Sequence, residues 1–181
     1  MAPELVGRIS DLKYLESHQI HIRAAQTKMD MENVLNLMKL AMSESRYSEL
    51  DFSEARMREH LSPAVGASDM HTLILAEKIL PGGNSELLGV LYATGGELRA
   101  LEGISCAAQF FYVRREARQS RLARVLLKAF ENWARKRDAF EAVVHATWGG
   151  EEQARVNQFL NRYGYENAGG SSHYMTFEQP D

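Results

Sequence analysis

The chain has 181 residues, 45% hydrophobic and 25% charged, with a formal net charge of -3. That length supports one well-cored domain and is short for two, and no apolar stretch approaches the ~20 residues a membrane span needs. The N-terminus has no basic-then-apolar signal pattern, so a soluble, cytoplasmic protein is expected. The single cysteine, Cys106, excludes an internal disulfide, and no Cys/His cluster has zinc-ligand spacing, so no metal is expected. Cys106 is then either a small core residue or a nucleophile.

Residues 1–19 carry Leu12, Tyr14 and Leu15, which a short helix could pack, but no sustained pattern. They are read as an N-terminal extension ahead of one domain over 20–181. Ile20-His21-Ile22-Arg23-Ala24 alternates as a half-buried strand does. Asp30 is the expected N-cap of a helix whose Val34, Leu37, Met38, Ala41 and Met42 share one face. Asp51-Phe52-Ser53-Glu54 has capping-box spacing and predicts a second helix to about residue 61, ended by Pro63 and Gly66. Strands are predicted over 72–77 and 87–94, joined by the turn-forming run Pro81-Gly82-Gly83-Asn84, and over 105–114.

Leu122, Val125, Leu126, Ala129, Phe130 and Trp133 form an unbroken stripe for a helix over 120–137. Residues 140–147 predict a buried strand, and 151–163 a helix stopped by Gly164. Residues 165–177 predict two short strands around Gly169-Gly170. The order of elements describes a mixed α/β domain.

Charge is unevenly distributed along that order. Residues 111–137 hold nine Lys or Arg against Glu116 and Glu131, a net +7, so the rest of the chain carries -10. The positive charge is centred on a strand-to-helix turn, Arg118-Gln119-Ser120-Arg121-Leu122-Ala123, which follows the apolar run Phe110-Phe111-Tyr112-Val113. A helix start presents amides without intrahelical partners and a partial positive charge, which suits a phosphate. A nucleic-acid binder is usually basic over a wide face, so a compact polyphosphate fits better and nucleic acid is not the expected partner. The missing Gly-Lys-Ser/Thr excludes a P-loop.

The element order and this turn, with Val113 five residues ahead of Arg118, resemble the GNAT superfamily of acyl-CoA-dependent N-acyltransferases over about residues 20–177. In that family the turn reads Arg or Gln, two variable positions, Gly, one variable position, then Gly or Ala. Arg118 and Ala123 match, and Arg121 stands where glycine is usual. Glycine permits close backbone approach to a phosphate, whereas arginine brings its own charge and could pair with the phosphate directly. Arg124, one turn further, is either a second phosphate partner or a solvated cation. Val156-Asn157-Gln158-Phe159-Leu160-Asn161-Arg162-Tyr163-Gly164-Tyr165 is similar to the family's Ala-x-x-Phe-Tyr-x-x-x-Gly-Phe. In that alignment Leu160 takes the position of the tyrosine that often protonates the departing thiolate, and Gln153 that of the usual asparagine. Tyr163 falls on another side of the helix. Sequences of this divergent type also look like some encoded by tailed phages and bacteria.

The resemblance implies a central mixed, largely antiparallel sheet flanked by helices, with strands four and five splayed. It also implies acetyl-CoA as acyl donor, with backbone groups of Phe111, Tyr112 and Val113 facing pantetheine. Arg118, Gln119, Ser120, Arg121, Ala123 and Arg124 would then surround the pyrophosphate. The expected partner is an amine, small-molecule or protein, and a homodimer is compatible with the family. A module of the same fold that binds CoA or a protein without catalysis is the alternative. His145 is either a titrating group near the thioester or a hydrogen-bonded core histidine, and His173 is open in the same way. Glu44, Glu49 and Asp51 lie in the region that commonly shapes the acceptor site, and are otherwise solvated loop carboxylates.

Overall fold

A computed structural model of the protein describes residues 9–45, 47–66, 68–98, 102–145 and 150–168. Five strands, β1 (Ile20–Ala24), β2 (His71–Ile79), β3 (Ser85–Glu97), β4 (Ile104–Val113) and β5 (Glu141–Val144), form one sheet in chain order. The first three junctions are antiparallel and β4 pairs with β5 in parallel. The hairpin between β2 and β3 closes through the glycine turn, where Leu80 N–H donates to the Asn84 carbonyl at 2.8 Å. Gly82 and Gly83 supply the positive φ angles, 94° and 85°, that this turn requires. A parallel junction needs a crossover instead, and the helix α4 (Leu122–Arg135) provides it.

The other helices are α1 (Ile9–Ser17), α2 (Lys28–Ser43), α3 (Glu54–Leu61) and α5 (Gly150–Arg162). Side chains alternate across β2, so Ile74 and Ala76 enter one core and Leu73 and Leu75 the other. The first core joins Leu15 of α1, the α4 stripe and Leu160 of α5 to that face of the sheet. The second joins Val34, Leu37 and Met38 of α2 and Leu61 of α3 to Val90, Tyr92 and Tyr112. Because both faces are covered, β2 is an almost continuous apolar run and does not alternate with polar residues. Cys106 is fully buried in the first core, and burial raises its thiol pKa.

Several boundaries differ from the sequence reading. Helix α2 is capped by Thr27, not Asp30: Thr27 Oγ1 accepts from Asp30 N–H at 3.1 Å, and Asp30 Oδ2 accepts from Thr27 N–H at 2.9 Å. Asp30 is thus the N3 residue that closes a capping box. Helix α3 is capped by Ser53 rather than Asp51. β5 is shorter than expected, since Phe140 is 80% exposed and precedes the ladder. Residues 165–168 form no strand, and the remainder of the predicted terminal pair lies outside the described residues.

Two local features shape the end of β4. Tyr92 pairs with Phe110 but Ala93 pairs with Ala108, so Gln109 is the extra residue of a β-bulge. The ladder with β5 ends at Ala108 and Val144, so among the described residues 109–113 continue without a partner on that side. β5 itself ends at Val144, so among the described residues no strand lies beside the second half of β4 on that side. Gly89 lies opposite Val113 on the other side. A Cβ at Gly89 would stand 2.9 Å from Leu126 Cδ1 and 3.1 Å from the Tyr112 carbonyl oxygen. The missing side chain lets α4 seat directly over the end of the β3–β4 pair.

Candidate functional site

Where β4 ends, the chain makes a single 3-10 turn over Arg115–Ala117 and enters α4 through Arg118, Gln119, Ser120 and Arg121. The Ser120 hydroxyl donates to the Ala117 carbonyl at 2.6 Å and accepts from Leu122 N–H at 3.1 Å. One side chain thus fixes both sides of the bend. Arg121 is the N-cap and makes no side-chain capping bond. The first-turn amides around Ala123 and Arg124 lack carbonyl partners further back in the helix, as at any helix start. Gln119, Ser120 and Arg121 are exposed at this point, whereas Leu122 is buried and belongs to the packing stripe.

The arginines around the turn are engaged with the protein itself. Arg118 Nε donates to the Val113 carbonyl at 3.0 Å, and its Nη2 meets Glu44 Oε2 at 2.5 Å. Its guanidinium also lies 5.3 Å from the centre of the Tyr112 ring. Arg115 approaches the other oxygen of Glu44 at 3.9 Å. Arg121 Nη1 donates to the Ser10 carbonyl at 3.1 Å, and Arg124 Nη2 pairs with Asp11 Oδ2 at 2.7 Å. Both of these bonds reach α1. Arg124 is also 5.8 Å from the ring of Tyr163, which follows α5, so it ties α1 and α4 to the end of that helix. Further along, Lys128 pairs with Glu131, and Arg137 donates to the carbonyls of Trp133, Ser68 and Asp69. The excess positive charge in this segment is therefore largely partnered within the fold.

The turn follows directly on the end of β4. Phe111 packs against the α4 side of the sheet, and Tyr112 is buried on the α2 side. Burial, followed by the Glu44 carboxylate, raises the Tyr112 phenol pKa, with Arg118 opposing. Val113 is buried, and its carbonyl is the one held by Arg118. His145 follows β5 directly and is exposed, which removes the core-histidine reading. Leu160 is 8% exposed and part of the α4-side core. Tyr163 is half-exposed and packs on Phe159 with ring centres 4.8 Å apart. Gln153 donates to Asn157 along α5. Glu49 and Asp51 are exposed, and His173 lies outside the described residues.

The contact that sequence reading missed is Glu44 with Arg118. Glu44 is the C-cap of α2, 74 positions before Arg118. A carboxylate at a helix C-terminus faces the negative end of the helix dipole, and that unfavourable placement was the available hint of a cationic partner. A second missed group is His71 Nδ1 with the Tyr92 hydroxyl at 3.2 Å, beside the ring of His60. Among the described residues no group of His, Cys, Asp and Glu is arranged to hold a metal, and no helix is long and apolar enough to cross a membrane.

No family model and no curated protein matches the sequence. Solved structures do match the fold. A ribosomal-protein-alanine N-acetyltransferase from Brucella melitensis biovar Abortus 2308 superposes with a TM-score of 0.63 at 14% identity, covering 88% of this chain and 100% of that one. AAC(6')-Iy, in complex with the bisubstrate analog CoA-S-monomethyl-acetylneamine, gives 0.62 at 16% identity, covering 87% and 98%. The protein has the GNAT fold. A transcriptional regulator from Bacillus halodurans C-125 gives 0.63 at 18% identity, covering 87% and 99%. Proteins of different description thus share this architecture, and the GNAT fold alone does not fix an activity. In this chain the part of β4 beyond its ladder with β5 lies just ahead of the turn into α4.

Proposed function

We propose that the protein is an acetyl-CoA-dependent N-acetyltransferase that transfers an acetyl group to an amine of a small molecule or a protein. One observation carries this reading: β4, which among the described residues has no partner on its β5 side at 109–113, leads through one short turn to the arginine-flanked start of α4. The residues present suit the cofactor. An extended pantetheine needs a strand edge with unused backbone groups, and a pyrophosphate needs amides and cations at the end of that edge. Phe111 and Tyr112 would supply the first, and the turn from Arg118 through Gln119, Ser120, Arg121 and Ala123 the second. Arg124, held by Asp11, would act through helix packing instead.

Acetyl-CoA supplies the acetyl group as a thioester. The amine nitrogen forms the new bond to the acetyl carbon as the carbon–sulfur bond breaks. One proton leaves the nitrogen and one is taken up by the sulfur. In this chain the β4 edge would orient the carbonyl, and a backbone N–H there would stabilise its developing negative charge. His145, exposed at the end of β5, is the candidate to accept the amine proton. Leu160 has no proton to give, so the sulfur would receive its proton from another group or from water.

Calorimetric titration with acetyl-CoA tests the binding half, and absence of binding at millimolar ligand would defeat the proposal. Arg118→Ala and Arg121→Glu should each weaken binding roughly tenfold, as expected for losing a charge-assisted contact. Thiol release across an amine panel tests the chemical half. His145→Ala should then lower turnover with acetyl-CoA affinity unchanged. Leu160 favours a second reading, a GNAT-fold module that binds CoA or a protein partner without transfer, and binding with no turnover on any amine would select it.

A further inference from the structure

Glu44 occupies the residue that the cofactor reading most needs. Its carboxylate contacts Arg118 Nη2 at 2.5 Å and lies 3.9 Å from Arg115 Nε, and its side chain is only 16% exposed. Arg118 is 32% exposed and spends its Nε on the Val113 carbonyl at 3.0 Å. That carbonyl belongs to the strand edge itself. Arg118 therefore spans the acceptor-side helix α2 and the end of β4, with Tyr112 beneath its guanidinium.

The energetics of the contact are those of an exchangeable one. The pair is partly solvated, and such pairs contribute only modest stabilisation. An incoming phosphate offers Arg118 the same charge-assisted acceptor as a carboxylate, with more charge. Glu44 sits at the C-terminal end of α2, where the helix dipole disfavours an anion. Its attachment to the cations is thus a main reason for its side chain to point at the turn.

We propose that Glu44 is a positioning residue that competes with the cofactor's pyrophosphate for Arg118, occupying its guanidinium until the cofactor displaces it. This rests on the pyrophosphate reading of the turn. A competing internal anion reduces apparent affinity by the fraction of molecules in which Arg118 is free. Removing the negative charge should therefore improve binding, the opposite of what loss of a merely structural contact would do.

The test is calorimetric titration of the full chain with coenzyme A. Glu44→Gln should bind coenzyme A about two- to fivefold more tightly than wild type, the factor set by a partly exposed ion pair. Glu59→Gln, which removes the same charge from an exposed position on α3, should leave affinity unchanged. In an Arg118→Ala background the gain from Glu44→Gln should vanish, because the two residues act on one contact. Equal or weaker binding by Glu44→Gln, with wild type binding normally, overturns the competition while leaving the cofactor site standing. Equal gains in Glu44→Gln and Glu59→Gln reduce it to a general charge effect and overturn it as well. No binding by wild type or variant at millimolar coenzyme A removes the cofactor reading and this inference together.

Discussion

Arg23 illustrates how a single side chain can organise the edge of the sheet. It donates to Glu77 through Nε and Nη2 at 2.7 and 2.8 Å, and to Asp30 through Nη1 and Nη2 at 3.0 and 2.5 Å. Both acids are buried, at 4% exposure or close to it. The Arg23 guanidinium holds the Asp30 carboxyl well below the usual carboxylate range, helped by the amides of Gln26 and Thr27, against the cost of burial. A depressed carboxylate pKa adds stability that is complete above the unfolded value, near pH 4, and is lost as pH falls through the folded value. Asp30→Asn should therefore cost about 2 kcal/mol at neutral pH. The gap to wild type should stay constant from pH 5 to 8 and narrow below about pH 4, as chemical denaturation across pH would reveal.

Arg124 invites the opposite expectation from the one its position suggests. In sequence it stands one turn into the helix proposed to face phosphate, yet it pairs with a carboxylate 113 positions earlier. Asp11 is buried, and among the described residues its Oδ1 has no hydrogen-bond partner. Arg124→Ala would leave that charge uncompensated, at a cost of about 3 kcal/mol unless α1 detaches. Hydrogen exchange should show lost protection over α1 in this variant. Unchanged protection and unchanged stability would mean that the pair contributes nothing to docking α1.

At the scale of elements, what could be read in the sequence depended on periodicity. The α4 stripe is unbroken, and all six of its positions are buried. The glycine turn specifies the β2–β3 hairpin directly. The start of α2 was harder to read because Thr27 and Asp30 are both good capping residues three positions apart, and only hydrogen bonding assigns the first as cap. α1 gave almost no signal, since its burial depends on a partner helix more than one hundred residues away. The same distance hid the destinations of Arg121 and Arg124, and nothing in local sequence pairs Glu44 with Arg118. Gly89 likewise looks like an ordinary strand glycine until α4 is placed above it. Gly89→Ala should cost about 1–2 kcal/mol, because Leu126 can rotate away but the Tyr112 carbonyl must shift. Thermal denaturation would test this, and a neutral effect would mean that α4 has slack above the sheet.

For the molecule as a whole, the two cores have different relations to the site. The α2 and α3 side reaches the turn through Glu44 and Tyr112, whereas the α1, α4 and α5 side reaches it through the helix start itself. The turn thus lies between two packed units, and either can alter it without direct contact with a ligand.

Cys106 has a practical consequence. It is the only thiol in the chain, fully buried, and its partner Ala142 lies in the short ladder that joins β4 to β5. A thiol-reactive dye can reach it only when the core around it opens, so its labelling rate would report on that opening. The same shielding would leave the folded protein nearly silent in an assay that counts free thiol, and a rising background would signal unfolding.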